Sequence, residues 1–452
     1  MIAWHFLSTC PNRNSTLPKK GASLMNYQES LDYLYSLARL GIKLGLENTT
    51  RLLDYFGNPQ LKTSTIHIAG TNGKGSTAAF VESILRASGY RVGLYTSPHI
   101  LDFRERIQID RQLIVPEEMV HWITTLKQVS EKLKLSPTFF EFSTLMAILH
   151  FDRQDTDWNV IEVGMGGRLD STNLCQGKVC IITPISRDHE SSLGTDLSQI
   201  AREKAAIIKH PCTVVCGPQE KEVTQVIQDQ CQNHKASLLQ SGRDFQVNTQ
   251  SNSLQGQVFD FNGPEIWYKG LEINLAGRHQ SVNAGLAVAA CTALVDPSIT
   301  EQTIRQGLKS ASWPGRFEIC GTNPSLILDC AHNLDSFKTL TASLSELFPH
   351  KKKIWVIGIM KDKLLTEVTE LISDYADHIV ATQPKNDRSA SSEQIREAFA
   401  NFAKPIDLAD EIPVALDRAF QVAEPDDLIV VTGSLFTIAE AKQVIDNQTY
   451  NS

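Results

Sequence analysis

Short apolar runs alternate with stretches of helical spacing along most of the chain, and the first clear case begins at Thr65. "TSTIHIA" reads as a buried strand, "GTNGKG" as a glycine-rich break and "STAAFVESILRASG" as a helix stopped by Gly89, before a second strand at "RVGLYTS". This order predicts a strand–helix–strand unit. Two further apolar runs end in polar loops: "WNVIEVG" leads into "MGGRLDSTN", and "VCIITPIS" into "RDHESSLGTD". Open parallel α/β sheets collect ligands at the carboxyl ends of their strands, so these three loops are expected to line one crevice.

"MNYQESLDYLYSL" reads as the first helix, with a leader before it. The leader has no acidic residue and carries Arg13, Lys19 and Lys20, which fits a weak transit peptide, a disordered leader or an upstream start codon, with the working protein expected to begin near Met25. A helix is expected over "DLSQIAREKAAIIKH" up to Pro211, then the strand "TVVCG", a polar alternating antiparallel excursion over residues 240–275, and the helix "SVNAGLAVAACTAL". Trp313, Pro314 and Gly315 punctuate the chain strongly and mark a boundary. Beyond it, "SLILDC", "KIWVIGIM", "HIVATQP" and "DLIVVTGS" alternate with helical stretches, which predicts a second doubly wound sheet. The expected division is a leader over residues 1–25, a first domain over 26–312 and a second over 313–452.

Composition narrows the function. The 452 residues suffice for two or three domains, and 42% hydrophobic with 21% charged residues is ordinary for a globular protein. A net charge of −8 without a dense basic block excludes a non-specific nucleic-acid binder, and no apolar run reaches the roughly 20 residues that span a bilayer. Nine cysteines without two-residue spacing suggest reduced thiols in a cytoplasmic setting rather than zinc knuckles or disulfides. Monomer is the default expectation.

The glycine loop carries the chemistry. Backbone N–H groups at a helix N-terminus can wrap phosphate oxygens, Lys74 can reach the β- and γ-phosphates, and the hydroxyl of Ser76 or Thr77 can face Mg²⁺. Its spacing departs from the common phosphate loop, because Gly75 separates Lys74 from Ser76. Glu162 ends an apolar strand, where an unpaired carboxylate needs a cation, a metal or several N–H donors. His189 also follows an apolar strand and fits either a ligand or a hydrogen-bonded structural residue. Lys204 reads as a surface Glu–Lys pairing or as an amine of lowered pKa among apolar neighbours. Asp329 and His332 close a further strand, and Arg316 sits at the boundary, either solvated or reaching across a cleft. The rings of Phe139 and Phe140 suit a flat heterocycle or the core.

Taken together, "GTNGKGST", "TSPH", "FFEFSTL", "EVGMGGRLDSTN", "ISRDHESSLG", "EKAAIIK", "GRHQSVNA", "PGRFE", "DCAHN" and "GSLF" resemble, in order, the folylpolyglutamate synthase and dihydrofolate synthase branch of the Mur ligase superfamily. The resemblance implies an α/β protein with a P-loop Mur-ligase-type domain followed by a Rossmann-like C-terminal α/β domain. It implies an ATP-dependent ligase that adds L-glutamate to dihydropteroate and to reduced folates. On it, Thr71, Asn72, Gly73, Lys74, Asn283, Arg316 and Asp329 hold ATP. Ser97, Glu162, His189 and Ser76 hold Mg²⁺, with two ions expected and K⁺ a further cation. Lys204 matches a lysine carboxylated by CO₂, and His332 is a candidate base. Thr138, Phe139, Phe140, Glu141, Leu169, Asp170 and Ser171 match the pterin-substrate contacts.

The sequence departs from the family pattern at Cys330 and Ala206, each standing where glycine is usual. A side chain at Cys330 would shift the geometry around Asp329 if the backbone there needs a positive φ. Three other readings are a peptidoglycan-type ligase, a P-loop kinase or ATPase that forms no amide, and a non-enzymatic nucleotide sensor.

Overall fold

The computed structural model describes residues 25–40 and 45–449. The expected leader before Met25 lies outside them. Eight strands form the first sheet: β1 (Ser64–Ala69), β2 (Val92–Tyr95), β3 (Ile107–Ile109), β4 (Gln112–Leu113), β5 (Trp158–Glu162), β6 (Gly177–Ile182), β7 (Thr213–Cys216) and β8 (Ser237–Gln240). Their order is β4-β3-β2-β5-β1-β6-β7-β8. The five pairings from β2 to β8 are parallel, and only the β4-β3-β2 edge is antiparallel. The glycine loop therefore leaves a central strand, with β5 and β6 on either side.

Alternation along β1 assigns its two faces. Ile66 and Ile68 pack with helices Lys74–Ala87 and His279–Thr292, whereas Ala69 joins the core beneath helix Leu197–Ala205. Helices Pro116–Leu133 and Phe139–Arg153 cover the β2 and β5 end through Tyr95 and Ile161. The polar excursion forms a separate antiparallel sheet of β9 (Gln246–Ser253), β10 (Gly256–Gly263) and β11 (Ile266–Ile273). Helix Glu301–Ser310 crosses helix Lys74–Ala87 at Gly307, where a Cβ would lie 2.5 Å from the Ile84 Cα. Their backbones touch.

The third sheet comprises β12 (Glu318–Thr322), β13 (Ser325–Leu328), β14 (Lys353–Ile357), β15 (His378–Thr382), β16 (Ile406–Ala409) and β17 (Leu428–Thr432). Its order is β12-β13-β17-β14-β15-β16, parallel except for β12. Phe337, Trp355 and Val430 pack on one face, and Val356, Leu416 and Val431 on the other. Burial on both faces explains why these strands read as continuous apolar runs.

Local differences from expectation have physical causes. The helix expected to reach Pro211 stops at Ala205, and Ala206 caps it at φ −66°. Alanine takes that angle without strain, so the glycine usual there is not needed. Short β3, β4, β12 and β16 have too few residues to show a period.

Candidate functional site

The three loops at the carboxyl ends of β1, β5 and β6 do share one crevice, closed on its far side by the third sheet. The resulting cleft has a volume of about 660 Å³. Thr71, Asn72, Gly73, Lys74, Ser76, Ser97, Glu162, His189, Lys204, Asn283, Arg316, Asp329 and His332 all line it.

The glycine loop is fixed by its neighbour. The N–H groups of Thr71 and Asn72 donate to the Pro184 carbonyl at 3.0 and 3.4 Å, and the Thr71 hydroxyl donates to the Ser186 carbonyl at 3.0 Å. Gly73, at φ 86°, caps helix Lys74–Ala87, and Lys74 Nζ donates to the Thr71 carbonyl at 3.1 Å. The helix N-terminus thus opens on the cleft with a lysine curled over it, which suits an oxyanion. A Cβ on Gly75 would approach the Trp313 ring to 2.9 Å, so the segment joining the two halves rests on the loop.

Glu162 is buried with one protein donor, the Ser97 N–H at 3.1 Å. Burial pushes its carboxyl up, and Lys74 opposes that shift most strongly. His189 holds φ 52°, and its half-exposed imidazole lies with Nε2 3.9 Å from Asp188 Oδ2. Lys204 is 4% exposed, and its Nζ donates to the Gly70 carbonyl at 2.8 Å. Burial and the Lys74 charge bring its ammonium down to about 7. The apolar setting, not an exposed Glu–Lys pair, describes this lysine.

The second half supplies the opposite wall. Asp329 accepts from the Phe317 and Ala331 N–H groups, both at 2.9 Å, while Arg316 counters the rise that burial causes in its carboxyl. Cys330 is not among the residues of positive φ, so replacing glycine leaves the turn after Asp329 intact. His332 Nδ1 meets the Cys330 carbonyl at 2.9 Å and its Nε2 lies 3.6 Å from Asp188.

The residues matched to pterin contacts stand outside the cleft lining. Thr138 caps helix Phe139–Arg153 in a reciprocal box with Glu141, which also accepts from Asn48. Asp170 is buried and accepts from Met165 N, Thr172 N and Thr172 Oγ1 at 2.9, 3.0 and 2.6 Å. Ser171 meets Thr49 at 3.4 Å, and Leu169 is partly buried. Phe140 packs on Gly164, two residues past Glu162, while Phe139 stacks with Tyr35 at 6.0 Å beneath the Arg106 guanidinium.

Sequence reasoning passed over Asp188, Asn333 and Lys363, which meet within this cleft region, and Gln280, whose side chain accepts from Asn283 at 3.1 Å. Asp188 and Asn333 each stood beside a residue that was singled out, and Gln280 lies three before Asn283. Lys363 carried no signal, since only the fold brings it to Asp188.

Comparison with known proteins places this geometry. Residues 68–291 match the Mur ligase middle domain, and residues 315–435 match the Mur ligase glutamate ligase domain. The chain is 32% identical to the dihydrofolate synthase/folylpolyglutamate synthase of Bacillus subtilis, covering 92% of this chain and 98% of that one. It is 34% identical to a probable bifunctional folylpolyglutamate synthase/dihydropteroate synthase of Halobacterium salinarum, across 92% of this chain but only 51% of the relative. The chain thus spans about half the length of that archaeal protein. The structure of Escherichia coli FolC in complex with DHPP and ADP superposes with a TM-score of 0.86 at 31% identity, covering 93% of this chain and 98% of that one. With both domain types in order and relatives matched along nearly their whole length, the chain belongs to the dihydrofolate synthase/folylpolyglutamate synthase branch of the Mur ligase family.

Proposed function

We propose that this chain is an ATP-dependent ligase that adds L-glutamate to dihydropteroate and extends the glutamate tail of reduced folates. The observation that carries this reading is the cleft between the two halves. It sets a lysine-bearing helix N-terminus, a buried carboxylate with a single N–H donor and a lysine of lowered pKa opposite Arg316, Asp329 and His332. ATP lies with its phosphates on the loop from Thr71 to Lys74 and its nucleoside toward Asn283, Arg316 and Asp329.

A carboxylate of the pteroate or folate substrate attacks the γ-phosphorus, the bond to the β-phosphate oxygen breaks, and ADP leaves. The loop N–H groups and Lys74 neutralise the charge on the transferring group. The amine of glutamate then attacks the acyl carbon, phosphate departs, and His332 takes the amine proton. Closure of the second half excludes water from the acyl phosphate.

Among the described residues no three His, Cys, Asp or Glu side chains converge on one point. Mg²⁺ keeps waters and substrate phosphates as ligands rather than an all-protein cage, and an under-served carboxylate beside hydroxyls is the donor set it takes. Glu162, His189, Ser97 and Ser76 would hold it, and it would supply positive charge to the phosphate oxygens. Lys204, with a neutral amine available near pH 7, adds CO₂: its nitrogen bonds the carbon, a proton leaves, and a carbamate anion results. Phe139, Phe140 and the turn from Leu169 to Ser171 shape the pterin side. Glu141 and Asp170 act there by holding backbone.

The deciding assay supplies purified protein with ATP, glutamate and either dihydropteroate or tetrahydrofolate, and measures amide product and ADP. Glutamate-dependent ADP release with both acceptors is expected. ATP consumption independent of glutamate would overturn the reading.

A further inference from the structure

Asp188 follows β6 in the first half of the molecule, yet most of its side-chain partners come from the second. Its carboxylate is 6% exposed and pairs tightly with Lys363 Nζ. It also accepts from Asn333 Nδ2 at 3.3 Å and lies 3.6 Å from His332 Nε2. Lys363 is itself only 14% exposed, in the short turn Lys361–Lys363 after β14. Beside this cluster the amides of Asn72 and Asn333 exchange two hydrogen bonds, at 3.3 and 3.2 Å, tying the phosphate loop to the cap of helix Leu334–Leu347. Asp188 also accepts from the His189 N–H at 2.8 Å, so Lys363 is its one lysine partner among several donors, and removing it takes the tightest cation from a buried carboxylate.

We infer that Lys363 is a positioning residue: through Asp188 it latches the second half shut over the phosphate loop and so sets His332 and Asn333 against the nucleotide site. The ion pair joins the loop after β6 in the first sheet to the turn after β14 in the third, at the point where the halves meet. Neutralising Asp188 also removes a negative charge that would repel ATP phosphates held by the neighbouring loop. The inference rests on the nucleotide-cleft reading above, and its test separates the two.

Lys363→Met and Lys363→Arg in the full chain are compared with the parent by ADP titration, small-angle X-ray scattering with ADP, and phosphate released per glutamate incorporated. If the closed fraction falls to about one tenth, apparent ADP affinity falls about tenfold. The Met variant is expected to show that loss, a larger radius of gyration with ADP bound, and phosphate release in excess of amide formed. Lys363→Arg is expected to recover all three. Asp188→Asn combined with Lys363→Met should be no worse than the poorer single variant, because the pair acts as a unit. ADP affinity within twofold of the parent in Lys363→Met, or strict additivity in the double variant, overturns the latch. Should Lys363→Met not fold, Lys363→Gln carries the same comparison. A parent that binds ADP but forms no amide refutes the ligase reading, while the ADP and scattering arms still decide the latch.

Discussion

Two buried carboxylates, Glu162 at the end of β5 and Asp170 eight residues later, differ in how far the protein itself satisfies them. Asp170 accepts three hydrogen bonds from its own loop, whereas Glu162 accepts one and faces the cleft. Burial raises both carboxyls. The difference lies in how many donors offset that burial. A saturated carboxylate shapes the chain, and an unsaturated one marks where a cationic or metal-bearing ligand belongs.

The largest expected effect comes from the ligand side. Lys74→Ala should lower amide formation by at least about 10²–10³-fold, the scale for removing a preorganised donor from a developing oxyanion. Far-UV circular dichroism should stay unchanged, and turnover near that of the parent would remove the loop from the chemistry.

Glu162→Gln and Asp170→Asn then set the two carboxylates against each other. Glu162 has a folded pKa raised above its unfolded value, so its ionisation at neutral pH costs stability, a cost that vanishes as pH falls. Glu162→Gln should therefore cut activity about 10²-fold with thermal stability kept or increased. Asp170→Asn should do the reverse: its amide turns an N–H toward the Met165 N–H, costing about 1–3 kcal/mol of stability. Denaturation midpoints and turnover for both variants test the contrast, and a stable, inactive Asp170→Asn would break it.

Lys204 sharpens the same distinction through pH. With its pKa brought down to about 7, the amine is increasingly neutral above that pH, so activity in CO₂-equilibrated buffer should rise as pH climbs through 7. Lys204→Ala should lose activity and regain part of it with acetate, whereas full activity without acetate would exclude the carbamate. Between about 7 and 10.5 the unfolded chain holds the proton that the folded chain has released, so this group's contribution to stability rises with pH over that window. The smallest effect is expected at Gly75→Ala. The added methyl meets the Trp313 ring at 2.9 to 3.1 Å and must displace it, which should alter the KM for ATP more than kcat. Trp313→Leu in the same chain should relieve it.

Much of this was legible in the chain. Strands with both faces covered read as unbroken apolar runs, and the polar loops after "TIHIA", "NVIEV" and "CIITP" stood out because a charge at the end of such a run needs a reason. What escaped were contacts between distant segments. Lys363 lies in "MKDKLL", where three charges in a row look like solvated surface, and its partner is 175 residues away. Glu141, expected among substrate contacts, also accepts from Thr138 N at 2.7 Å through its carboxylate, a capping pattern present in "TFFE". The same four letters serve either role, and only burial separates them.

Gly307 lets the helix Lys74–Ala87 and the helix Glu301–Ser310 meet backbone to backbone, because no side chain cushions the crossing. Helix Lys74–Ala87 begins at the glycine loop, and helix Glu301–Ser310 runs back toward that same end, where Trp313 rests on Gly75 before the chain enters the third sheet. Any swing of the second half therefore bears on the glycine loop through Trp313.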